Sequence, residues 1–154
     1  MGEPIDMIEL VKALPARPRG RSTVVFTHEH RGQKEWAAEL ARQTGSAHIN
    51  LLDHFVEEKG LSDEVGKFSV SHLFEFLKDY SEAPVLIISG MEFLKATWAG
   101  QPNAGERFAS HMETWSGKPG LLFVMQYDKG LAAHRFRRFP QHTFVVDQRE
   151  TLAL

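Results

Sequence analysis

The residues with the most chemical promise stand together in His28-Glu29-His30-Arg31-Gly32-Gln33-Lys34-Glu35, a polar stretch between an apolar run and a helical pattern. A lysine at a helix start that follows a strand is where terminal phosphates are held. The cradle also needs backbone N–H groups exposed by a glycine-rich turn, and a Ser or Thr hydroxyl for magnesium. Aligned on G-x-x-x-x-G-K-[ST], Lys34 falls on the lysine position, His28 and Gln33 replace the two glycines, and Glu35 replaces the hydroxyl. Lys34, Gln33, Gly32 and His30 are the phosphate-contact candidates. His28 and His30 offer a second chemistry, because alternate residues of an extended segment project to one side, as two imidazoles on one zinc require. Read plainly, the same H-x-H is polar surface, and Lys34 is a solvated cation.

These residues need a scaffold, and the periodicity supplies one. Ile5, Ile8, Val11 and Leu14 predict a short helix ending before Pro15, followed by the basic connector Pro15–Arg21. Thr23–Thr27 reads as a buried strand, and Trp36, Ala37, Leu40 and Ala41 as one face of a helix closed by Gly45. His48–Leu52 predicts a second strand, residues 53–68 show one helical turn near Phe55, and Val70, Leu73, Phe74 and Leu77 mark a helix. Pro84–Ile88 and Gly120–Met125 are apolar throughout, as strands covered on both faces are. Between them lie a helix over Met91–Trp98 and a second one opened by Asn103 and Glu106 at capping-box spacing. A basic segment, Lys129–Arg138, leads to a last strand, Thr143–Val146. The expectation is an α/β three-layer sandwich around a mainly parallel five-stranded sheet. Residues 1–22 form the N-terminal helix and connector, and residues 23–154 a single domain.

The chain has 154 residues, 42% of them hydrophobic and 25% charged, which excludes disordered and collagen-like classes. A net charge of −2 gives no bulk drive toward nucleic acid or membrane. The absence of cysteine excludes disulfides, a thiol nucleophile and a cysteine-built zinc site. The apolar runs are far shorter than the roughly 18 residues of a membrane span. Glu3, Asp6 and Glu9 give the N-terminus the wrong charge for a signal or transit peptide, so a cytoplasmic protein is expected. Residues 53–92 hold nine acidic groups against three lysines, and residues 129–149 five basic groups against Asp147. Such a dipolar molecule could assemble head to tail or dock on a charged partner. Arg135-Phe136-Arg137-Arg138-Phe139 interleaves cations with aromatics, as polyanion contacts do; the same pattern arises when phenylalanines pack under solvated arginines.

The order of these elements, with Lys34 after the first strand, resembles the P-loop NTPase core of the RecA/AAA+ kind over nearly the whole chain. In size it is similar to the small P-loop protein of bacteriophage-exclusion (BREX) defence systems. The resemblance implies a magnesium-binding Asp at the end of the strand Val85–Ile88, but Ser89 stands there, with Glu92 nearby. It implies a γ-phosphate sensor after Leu122–Met125, which Gln126 would be, and a sensor or trans-acting arginine among Arg135, Arg137 and Arg138. Without a hydroxyl and a carboxylate to seat magnesium, the expectation is a degenerate, non-catalytic module, an accessory subunit or adaptor in a larger protein complex. ATP is its one candidate cofactor, nucleic acid would be reached through that complex, and self-association is open. An active Mg-ATPase using Glu92 is the first alternative. The second is a small metallohydrolase, since Thr27-His28-Glu29-His30 resembles the T-H-x-H start of the metallo-β-lactamase-fold motif, although Gly32 and Gln33 replace its Asp-His.

Overall fold

The structure is a computed structural model that describes residues 3–29, 31–58, 68–139 and 141–154. Helix α1 (Met7–Ala13) leads through a 3-10 turn (Leu14–Ala16) to strand β1 (Ser22–Thr27). Helix α2 (Gln33–Thr44), strand β2 (Ala47–Asn50), helix α3 (Leu51–Glu57) and helix α4 (Val70–Leu77) follow. Then come β3 (Val85–Ser89), α5 (Glu92–Trp98), α6 (Ala104–Thr114), β4 (Gly120–Gln126), α7 (Lys129–Ala133) and β5 (Val145–Asp147).

The five strands form one sheet in the order β2-β3-β4-β1-β5, and every pairing is parallel. The sequence explains why. β1, β3 and β4 are buried along almost their whole length, so each must be covered on both faces, which crossover helices do. Alternate residues serve opposite cores. Val25, Ile87, Leu122 and Val124 pack with Met7, Val11, Leu14, Ala37 and Leu40 from α1 and α2. Val24, Phe26, Leu86, Ile88, Leu121 and Phe123 face the second core, filled from α3 to α7. The N-terminal helix is thus built into the body that the remaining chain forms.

The strand order creates a switch point. From β1 the chain crosses to the far edge through α2, returns through β2, β3 and β4, and steps over β1 to β5. Helices leave β1 and β4 on opposite faces, and Thr27 lies in register with Gln126 at the carboxyl ends. In open parallel sheets, the crevice at such a point is where ligands bind.

Several local expectations change. The second strand stops at Asn50, because the Asn50 side chain accepts the Asp53 N–H and caps α3, so Leu51 and Leu52 are helical. Asn103 is in the left-handed region at φ 62° and makes no side-chain cap, so no capping box forms with Glu106. Ile5 pairs with Thr151 in an isolated bridge and lies outside the first helix. The basic segment is helical only over Lys129–Ala133, and β5 begins at Val145.

Candidate functional site

The first turn of α2 starts at Gly32, whose φ of 83° makes the sharp exit from β1 that glycine tolerates. Among the described residues no side chain caps this end, so the first-turn N–H groups are left for an anion or for water. Gln33 points the other way. It is 4% exposed, and its Nε2 donates to Thr27 Oγ1 at 3.1 Å and to Glu92 Oε1 at 2.7 Å. Its Oε1 accepts the Gly90 N–H at 3.4 Å. Glu92 Oε1 also accepts the Gln126 N–H at 3.1 Å. The Gln33 amide thereby joins the ends of β1 and β3, and Glu92 carries the network on to the end of β4.

A second chain of polar contacts continues toward β2. Ser89 is fully buried, and its Oγ lies 2.8 Å from His48 Nε2 while accepting from Asn50 Nδ2 at 3.1 Å. Asn50 holds the N-terminus of α3, where Asp53 pairs with Lys34. The Asp53 hydrogen bond and charge raise the Lys34 ammonium above its ordinary pKa. Burial is the main cause that pushes the His48 imidazole below its ordinary pKa, helped by the Lys34 charge and opposed by Asp53.

The candidates named from sequence separate accordingly. Gln33, Glu92 and Gln126 meet in one network, Ser89 belongs to the adjoining one, and Lys34 is a half-exposed cation at the outer end of that second chain, through Asp53. His30 lies outside the described residues. His28 turns toward β5, with Nε2 2.8 Å from Asp147 Oδ2 and its ring stacked on Tyr127 at 5.6 Å. Burial pushes the Asp147 carboxyl up, yet hydrogen bonds from the Arg149 side chain and backbone and from His28 outweigh it and hold the pKa at about 2. Arg135, Arg137 and Arg138 are exposed, and among the described residues no side-chain hydrogen bond ties them to the strand tips. The phenylalanines between them, Phe136 and Phe139, pack against the core. Thr27, His48, Asn50 and Asp53 were missed in the sequence. Each is an ordinary polar residue at a strand or helix end, and no spacing links them.

Magnesium keeps near-octahedral oxygen coordination at about 2.1 Å and several of its waters. The residues here do not fit it. Glu92 Oε1 already takes two N–H donors, Glu92 Oε2 is buried away from solvent with no partner among the described residues, and Ser89 Oγ is sealed by His48 and Asn50. Lys95, one turn after Glu92, pairs with Asp128 at 3.4 Å and donates to the Gln126 carbonyl. Among the described residues no group of three or more His, Asp or Glu converges as metal ligands.

Fold and site together define an open parallel α/β protein whose strand ends at the switch point are linked by a network of its own side chains. Comparison with known proteins finds no matching family model, no matching curated relative and no matching solved structure.

Proposed function

We propose that this chain is a degenerate, non-hydrolysing P-loop-like module that serves as an accessory subunit or adaptor in a bacterial multi-protein system. The observation that carries the reading is Gln33, whose buried amide is hydrogen-bonded to Thr27, Gly90 and Glu92 at the strand ends, with Glu92 in turn holding the Gln126 N–H. Phosphoryl transfer is catalysed chiefly by positioning and by charge stabilisation from metal and cations. With Glu92 Oε1 taken by two N–H donors and Ser89 Oγ held by His48 and Asn50, the described residues offer no converging oxygen set for that metal.

The strand order supports the P-loop side of the reading. It brings the ends of β1, β3 and β4 side by side, as one site built from Lys34, Ser89 or Glu92, and Gln126 requires. What persists is an anion-accepting helix start. If ATP binds, Lys34 and the free N–H groups of α2 take its phosphates without cleaving them. A role in antiviral defence and a cytoplasmic location follow from the resemblance and the sequence. Among the described residues no helix is long and apolar enough to cross a membrane.

Phosphate release from ATP with magnesium, followed at micromolar protein, tests the proposal. The expected rate is that of buffer alone, unchanged by Glu92→Gln. Magnesium-dependent turnover abolished by Glu92→Gln would instead establish the active ATPase.

A further inference from the structure

Two basic runs more than a hundred residues apart in the chain meet in space at the other end of the sheet. Arg17 donates to the Gly20 carbonyl at 3.0 Å and to the Thr143 carbonyl at 3.0 Å, and its guanidinium lies 5.8 Å from the centre of the Phe144 ring. Gly20 packs so closely on Phe144 that a Cβ would fall 2.9 Å from the ring. From the other run, Phe136 stacks on the same Phe144 at 4.6 Å, so the two runs share one packing ring. The Arg138 N–H donates to Glu113 Oε1, and the Glu113 backbone carbonyl lies 3.3 Å from the point a Cβ on Gly20 would occupy. Burial, aided by the Arg17 charge, pushes the His142 imidazole below its ordinary pKa.

The resulting surface carries Arg17, Arg19, Arg21, Arg135, Arg137 and Arg138, and neither 15–22 nor 134–144 contains an acidic residue. Arg19, Arg135, Arg137 and Arg138 are exposed. The acid at the seam, Glu113, is buried and engaged by backbone. On one side the patch ends at a cavity of about 600 Å³, where Asp79 and Glu82 stand across from Arg21. Arg21 immediately precedes β1 and Gln33 follows its end, so the strand's length, about 20 Å, separates this patch from the switch point.

We propose that this arginine face binds the phosphate backbone of a single-stranded nucleic acid. Every cation in both runs is arginine, whose planar fork matches phosphate oxygens bidentately. His134, Phe136 and Phe139 alternate with those cations and are half-buried, with Phe136 stacked on Phe144, so aromatic residues at the surface of the patch stand among its arginines as stacking sites do. The acidic groups lie mainly on other elements, so the field orients this face toward a polyanion despite the net charge of −2.

Fluorescence anisotropy with a labelled single strand of roughly 20 nucleotides, longer than one stacking site, tests this directly. Four phosphate contacts on a single strand predict a loss of about fiftyfold in affinity between about 50 and 200 mM salt. Arg19→Gln with Arg137→Gln should weaken binding about tenfold and flatten the salt slope by about 1.4. Arg42→Glu, an exposed arginine on α2, removes positive charge elsewhere and should leave the affinity unchanged. Absence of binding at micromolar protein in low salt overturns the proposal, as does affinity unaltered in the double variant. Displacement by poly-glutamate as effective as by unlabelled strand also overturns it, and assigns the face to an acidic protein. The wild-type salt slope and the competition decide the matter even if the double variant fails to fold.

Discussion

Gln33 shows how one side chain can close a site. Its burial removes an amide from water, and that cost is offset only because Thr27, Glu92 and Gly90 satisfy both ends of it. Gln33→Ala leaves the Thr27 hydroxyl and the Glu92 carboxylate short of a donor inside the protein. The expected loss of stability is about 2 kcal/mol, read from urea unfolding. A loss within experimental scatter would mean that the amide does not hold the strand tips together. The sequence shows a glutamine where a phosphate cradle has glycine, and so announces that the cradle has changed. It does not show which way the side chain points, because the deciding partner, Glu92, is 59 residues away. Lys34 is different. Its place at a helix start is legible from the pattern alone, but its pairing with Asp53 depends on where α3 begins.

The elements were legible wherever burial is uniform. Residues 85–88 and 121–125 are apolar throughout and bounded by breakers, so they declare themselves as central strands. The β2–α3 junction was not legible, since Ile49, Leu51 and Leu52 continue one apolar run, and the boundary is set by a cap at Asn50. That cap is coupled to the turn after β3. Gly90 has φ 71°, and a Cβ there would lie 2.7 Å from Asn50 Oδ1. Gly90→Ala should therefore strain the turn and also push Asn50 off the α3 N-terminus and off Ser89. About 2 kcal/mol of destabilisation is expected from the left-handed backbone and the lost cap together. In a double-mutant cycle, Asn50→Ala combined with Gly90→Ala should cost about 0.5 kcal/mol less than the two single costs added, or better, because the clash has gone. Strict additivity would show that the turn and the cap are independent.

At the scale of the molecule, the meeting of the two arginine runs was hidden from sequence, since nothing in either run names Phe144 as the common packing surface. The pH response is set at the same scale, because two of the groups concerned tie edge strands to the sheet. His48 joins β2 to β3 through Ser89, and Asp147 joins β5 to β1 by its contact with the residue after Thr27. The His48 pKa is lowered in the folded state, so the unfolded chain binds the proton more readily. Its contribution is full above the ordinary histidine value of about 6.5 and is lost as pH falls below that value. Burial lowers His111 as well, and burial with the Arg17 charge lowers His142, so all three act with one sign. Asp147 is held at about 2, so its contribution is full above the ordinary value of 3.8 and is lost as pH falls between the two. Acidification should therefore weaken the protein in two stages, a gradual one below neutrality and a later one in the carboxylate range. Chemical denaturation across that span reads both. His48→Gln should flatten the first stage while leaving the second in place, and Asp147→Asn should do the reverse. If His48→Gln leaves the first stage as steep as in the wild type, His48 is already accessible to protons in the folded state, and the sealed β2–β3 junction is not as described.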